Sequence, residues 1–311
     1  MTHKAHTKIG LALGSGSARG WSHIGVIQTL EEIGIKPDIV CGTSIGALVG
    51  GMYATNNLEK LHHWLLELDK KQILKLLDIN LLTGGGFVEG KYLIDFFNSH
   101  MGSRLIEDLD IDYTCVATNL ANGQEVWLKE GPINDAIRAS MALPGLFTPV
   151  IHEGNWLVDG GLVNPVPVST CRAMGASKVI AVNLNGDILG KHLNGLNTTT
   201  SRSIFPKLTE QTLFSNLTDR ISDKASAIFS DFFENDITQP GIFDVLASSI
   251  NIMQDRITRS RMAGDPPDII LAPKLAHIGL MEFDRADEAI EAGRKAVLQL
   301  RPVLEEFCET H

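Results

Sequence analysis

The chain has 311 residues, 44% hydrophobic and 21% charged, with a formal net charge of −10. That length and apolar share suit a globular fold with an ample core, as one large domain or two small ones. The acidic balance argues against nucleic acid as a partner and against strong electrostatic docking on anionic lipid.

In chain order, Met1-Thr-His-Lys-Ala-His-Thr-Lys8 leads into an apolar run too short for a secretory leader. Lys8-Ile-Gly-Leu-Ala-Leu13 reads as a buried strand that enters the loop Gly14-Ser-Gly-Ser-Ala-Arg-Gly20. Ile24, Val26, Ile27, Leu30 and Ile33 recur at helical spacing, and Gly34 ends that helix. Pro37-Asp-Ile-Val-Cys41 is a second strand, followed by Gly42-Thr-Ser-Ile-Gly46 and a helix of small residues over 47–54. Strand, loop, helix, strand, turn, helix in this order indicates a parallel α/β sheet. The longest apolar stretch, 42–54, is glycine-rich and far below the ~20 residues of a membrane span.

Further strands are expected at 113–118, 125–128, 156–158 and 178–183, and further helices at 90–100, 133–140, 167–174 and 285–300. Residues 194–202 form a polar loop. Beyond it, Leu213, Leu217, Ile221, Ala225, Ile228 and Phe232 predict an amphipathic helix over 209–233. Glu210, Asp219, Asp223 and Asp231 against Arg220 and Lys224 leave that helix at −2, whereas membrane-surface helices are usually basic. Core packing or a cap suits it best; a dimer seam and peripheral lipid contact are the other roles it would serve. Cys41, Cys115, Cys171 and Cys308 form no Cys-x-x-Cys, so reduced thiols in a cytoplasmic protein and no metal site are expected. His62-His63, beside Trp64 and Leu65, reads as a solvated helix edge.

Ser44 lies in Gly-x-Ser-x-Gly, a pattern that chance alone produces about 0.15 times in a chain this rich in glycine and serine. Its surroundings decide. Gly42 and Gly46 let the backbone turn sharply between strand and helix, and the helix N-terminus favours negative charge beside the hydroxyl. A serine nucleophile also needs a base and oxyanion donors. His277 is the one late histidine for a triad, in what looks like an ordinary loop. Asp159, in Trp156-Leu-Val-Asp-Gly-Gly-Leu162, ends an apolar strand and projects a carboxylate from the sheet edge, although such a residue also serves simply to stabilise its own turn. The amides of the first glycine loop converge on one anion-sized spot. A dinucleotide loop is the rival reading, but Arg19 stands where Gly-x-Gly-x-x-Gly requires its third glycine, and Asp38 precedes its strand.

These motifs together, Leu11-Ala-Leu-Gly-Ser-Gly-Ser-Ala-Arg-Gly20 with His23-Ile-Gly-Val-Ile27, Gly42-Thr-Ser-Ile-Gly46, Ala139-Ser-Met-Ala-Leu-Pro-Gly-Leu-Phe147 and Asp159-Gly-Gly161, resemble the patatin-like phospholipase family. The likeness spans about 7–185, with a weaker tail at 268–292. It implies a three-layer α/β/α fold with a mostly parallel central sheet, as one domain over 1–311 with a variable segment at 186–241 and a C-terminal strand and helix within 268–307. It further implies hydrolysis of phospholipid or lysophospholipid acyl esters through an acyl-enzyme, by a Ser44–Asp159 dyad without histidine, metal or cofactor. Ser15, Gly16 and Ser17 amides would hold the oxyanion, with Arg19, Gly42, Gly46 and Gly160 in support. The family usually has three glycines where this chain has Ser15-Gly16-Ser17; a positive φ at 15 or 17 would cost serine about 1 kcal/mol. A patatin-fold binding module with little or no hydrolysis is the alternative.

Overall fold

The computed structural model describes residues 7–67, 99, 102, 104–144, 147–186, 242–280 and 282–309. The expected helices at 90–100 and 209–233 and the loop at 194–202 lie outside them, Ser99 apart. The chain divides into two compact units, 1–189 with 250–311, and 190–249. The first carries the sheet and is described below.

The fold is a three-layer α/β/α sandwich around an eight-stranded, mostly parallel sheet. Its strands are β1 (Ile9–Leu13), β2 (Ile39–Thr43), β3 (Asp112–Asn119), β4 (Glu125–Leu128), β5 (Val150–His152), β6 (Asn155–Asp159), β7 (Lys178–Val182) and β8 (Ile269–Leu271). They run in hydrogen-bonded order β5-β6-β3-β2-β1-β7-β8, with β4 pairing β3. The β1–β2, β2–β3, β1–β7 and β7–β8 ladders are parallel, whereas β4 and β6 run antiparallel to β3, and β5 to β6.

Period-two patterning builds a core on each face. Leu11, Leu13, Val40, Ile180 and Val182 join the larger cluster with α1 (Ser22–Glu32), α2 (Ile45–Ala54), α3 (Leu58–Glu67), α4 (Ile133–Ser140) and the C-terminal α7 (Ala286–Gln299) and α8 (Arg301–Glu309). The intervening Ala12, Ile39, Cys41, Val179 and Ala181 turn to the other face. There they meet Val168 and Cys171 of α5 (Val168–Ala173) and Met262 of α6 (Ile242–Gly264). α1 ends where expected, at a left-handed Gly34 with φ 85.

Two features were not expected from the sequence. β5 has three residues, too few for an alternation to show, and α6 is a helix of 23 residues. Among the described residues no helix is long and apolar enough to cross a membrane, and no cluster of three or more His, Cys, Asp or Glu is grouped to hold a metal ion.

Candidate active site

β3 organises the site. Its Cys115 and Val116 pair with β2 and β4 at once, so those two strands flank it on opposite sides. Ala117 and Thr118 pair with β4 and β6 at once, which places β6 on the side of β2. β2 and β6 therefore lie end to end along one edge of β3. Thr43, the last residue of β2, faces Val116, and Asp159, the last residue of β6, faces Ala117. Where β2 stops and the chain turns away at Ser44, Asp159 takes up the next place on the ladder.

The turn is a strained elbow. Ser44 has φ 58 and ψ −122, a conformation non-glycine residues avoid. The flanking glycines make it sterically attainable: a Cβ on Gly46 would stand 2.2 Å from the Leu13 carbonyl oxygen, and one on Gly42 would stand 2.5 Å from Ala47 backbone. Ser140 secures the elbow from outside. Its buried hydroxyl accepts the Ser44 N–H at 2.9 Å and donates to the Val116 carbonyl at 2.6 Å. The Ala139–Phe147 stretch carries the family resemblance, but nothing in its spacing marked Ser140 for this contact.

Ser44 Oγ donates to Asp159 Oδ2 at 2.5 Å. The other carboxylate oxygen, Oδ1, accepts the Gly161 N–H at 2.6 Å, so the carboxylate does hold its own turn while also meeting the serine. The Asp159 amide donates to the Ala142 carbonyl and its own carbonyl accepts the Thr118 hydroxyl, which leaves the backbone little freedom. Gly160 is required beside it, since a Cβ there would stand 2.1 Å from the Val116 carbonyl oxygen. The Asp159 side chain is fully buried, and that desolvation raises its pKa from 3.8 to about 6 against the opposing hydrogen bonds from Ser44 and Gly161. A carboxylate with a raised pKa is a stronger base than an ordinary one and is still mostly ionised at neutral pH.

The glycine loop is pinned at both ends. The Gly14 amide donates to the Val182 carbonyl. The Gly14 carbonyl accepts from His23 Nε2 at 2.8 Å, so the ring carries its proton there. Full burial lowers the His23 pKa to about 4 and keeps the imidazole neutral. On the far side the Ala18 amide donates to Leu280, and Arg19 Nε donates to the Ile278 carbonyl at 2.8 Å. The buried Arg19 guanidinium, pushed down to about 10 by desolvation and opposed by Glu282, thus shapes the loop by fastening it to Ile278.

One expectation about the loop needs correction. The Ser15 amide already donates to the Pro165 carbonyl at 2.8 Å, so it does not face an open site as an oxyanion donor. Gly16 and Ser17 amides have no acceptor among the described residues and remain available. Ser17 has φ 53, so the left-handed backbone anticipated for one of the two serines falls at 17. His277 does not join the site: its half-exposed imidazole lies 3.5 Å from Glu288.

Residues 11–172 of the chain match the patatin-like phospholipase family. An uncharacterized NTE family protein of Mycobacterium tuberculosis is 33% identical over 328 residues, covering 94% of this chain and 91% of that protein. This chain belongs to the patatin-like phospholipase family. Two longer relatives match over part of this chain. A patatin-like phospholipase domain-containing protein of Caenorhabditis elegans is 38% identical over 186 residues, 57% of this chain and 13% of that protein. The lysophospholipase nte1 of Emericella nidulans is 34% identical over 189 residues, 57% of this chain and 12% of that protein. Family membership supports hydrolysis of lipid esters.

Proposed function

We propose that the protein is a serine hydrolase that cleaves acyl esters of phospholipids or lysophospholipids with a Ser44–Asp159 dyad. The observation that carries this reading is the 2.5 Å bond from Ser44 Oγ to a buried carboxylate whose pKa is raised to about 6. His23 is committed to Gly14 and His277 lies against Glu288, so the carboxylate bonded to Ser44 is the group that takes the serine proton.

Ser44 Oγ attacks the ester carbonyl carbon as its proton passes to Asp159 Oδ2. The carbonyl π electrons move to oxygen, and that oxyanion accepts the Gly16 and Ser17 amides. Collapse of the tetrahedral species breaks the C–O bond to the lysolipid or glycerol-headgroup alcohol, which leaves with the proton from Asp159. Water then gives a proton to Asp159 and attacks the acyl-Ser44 ester. Fatty acid departs and the proton returns to Ser44. Fixed amides and a dry carboxylate compensate for the weakness of a bare carboxylate as base for serine.

Lysophospholipids are favoured by the fungal relatives, lysophospholipases 34–36% identical over 189–193 residues. Within this reading the whole chain acts as one patatin-like domain, with 186–241 as its variable part. The test is hydrolysis of a short p-nitrophenyl ester and labelling by a fluorophosphonate, for wild type and Ser44→Ala at equal folded concentration. Turnover and label that both vanish with Ser44 support the hydrolase. A folded wild type that neither turns over nor labels would support the binding module instead.

A further inference from the structure

The glycine loop has a tether that neither its own sequence nor the dyad accounts for. Ser15 Oγ donates to Gln254 Oε1 at 3.0 Å, across 239 residues of chain. The same oxygen accepts Asn185 Nδ2 at 3.3 Å. The other end of the amide lies against the aspartate turn, where Gln254 Nε2 is 2.4 Å from the point a Cβ on Gly161 would occupy and Asp159 Oδ1 is 2.9 Å from it. Gln254, Ser15 and Asn185 are all at least nine-tenths buried. One side chain from α6 thus touches both halves of the site: the loop that flanks the free amides and the turn whose Gly161 N–H holds the Asp159 carboxylate.

The loop depends on such tethers. Gly16 has no side chain to anchor it, and Ser17 sits in a left-handed conformation that costs energy to hold. Its shape is imposed from the flanks, by Ala18 and Arg19 on one side and by the Ser15 amide and hydroxyl on the other. The two unbonded amides lie between these anchors. Without the Gln254 oxygen, the Ser15 hydroxyl and the Asn185 amide would both be left in a buried place without an acceptor, a state more costly than the bond itself is favourable. The loop would relax to satisfy them, and oxyanion donors tolerate little displacement.

We propose that Gln254 is a positioning residue for the reaction: by holding Ser15 and abutting Gly161, it sets the Gly16 and Ser17 amides in register with the Ser44–Asp159 pair. This rests on the hydrolase reading given above. It also gives Ser15 a use that a glycine there could not have, since only a hydroxyl reaches Gln254.

The test uses the full chain as wild type, Gln254→Met, Ser15→Ala and the double variant. Steady-state hydrolysis of a p-nitrophenyl ester, the rate of fluorophosphonate labelling at Ser44 and thermal unfolding are measured for each. Gln254→Met is expected to lower kcat and the labelling rate about 10- to 100-fold while KM moves less than about threefold, because the loss falls on the transition state. Ser15→Ala should lose less, and the double variant should be no worse than Gln254→Met alone, since both remove one contact. Should Gln254→Met fold poorly, Ser15→Ala, which leaves every backbone bond in place, carries the readout. A Gln254→Met protein with unchanged kcat, a loss seen in KM alone, or losses that multiply in the double variant would each overturn the proposal while Ser44 still labels in wild type. Wild type that never labels would overturn the hydrolase reading and this inference with it.

Discussion

Asp159 pairs with Ala117 across β6 and β3, one ladder position beyond the Thr43–Val116 pair that ends β2. That single-residue offset brings a serine and a carboxylate 115 positions apart into a 2.5 Å hydrogen bond. A slip of one residue in the β3–β6 register would send the Asp159 side chain to the opposite face of the sheet. The Ser44–Asp159 pair is in this sense a property of β3, which contributes neither residue.

In the proposed mechanism Asp159 must be ionised to take the serine proton, so kcat is expected to rise with pH through about 6 and to level off above it. Asp159→Asn should lower kcat by a factor of about 10³ or more, whereas His277→Ala, which alters an exposed Glu288 contact, should stay within about twofold of wild type. A pH–rate series on the three proteins checks both statements. Equal loss from His277→Ala would put a histidine back into the mechanism.

Acid stability should show two opposed contributions. Asp159 titrates at about 6 in the fold against an ordinary 3.8, so the folded state holds the proton more tightly. Its favourable contribution is complete below 3.8 and is lost as pH rises through 6. His23 titrates at about 4 in the fold against 6.5, so its favourable contribution is present above 6.5 and is lost as pH falls towards 4. Each amounts to about 3 kcal/mol at most by the size of its shift. Urea unfolding at pH 7, 5.5 and 4 should therefore show Asp159→Asn losing stability on acidification more steeply than wild type. His23→Gln, which retains a donor for Gly14 but does not titrate in this range, should lose it less steeply.

Ser140→Ala removes both the acceptor of the Ser44 amide and a donor to Val116 in a fully buried place. The expected cost is about 1–3 kcal/mol of stability, together with a lower kcat as the elbow loosens. Differential scanning calorimetry alongside kinetics measures the two. A variant as stable and as active as wild type would show that the glycines alone sustain the elbow.

The two loop serines should respond in opposite directions. Ser17 occupies φ 53, so Ser17→Gly is expected to stabilise the fold by about 1 kcal/mol and to keep or raise kcat. Ser15 is not in that region and is bonded to Gln254, so Ser15→Gly should destabilise the protein. Melting temperatures of the two single variants decide it; a rise for both would mean that the Gln254 contact contributes nothing.

The sequence by itself determined the elements and the local geometry around Ser44. β4 and α4 fall at the residues their pattern indicates, and β1, β2, β3, β6 and β7 within about two of them, because alternation and helical periodicity are local signals. Gly42 is equally local, since a side chain there would meet Ala47 five residues on, whereas Gly46 and Gly160 are required by the approach of Leu13 and Val116 from other strands. Tertiary structure alone decided which of these parts meet. The register of β3 joins Ser44 to Asp159, Pro165 takes the Ser15 amide out of the oxyanion set, Ser140 secures the elbow by a contact its own motif does not mark, and Gln254 enters the site from a helix that no motif announces. A hydrogen bond between residues far apart in the chain leaves no periodicity at either end, so only the packed sheet and the helices laid on it bring its partners together.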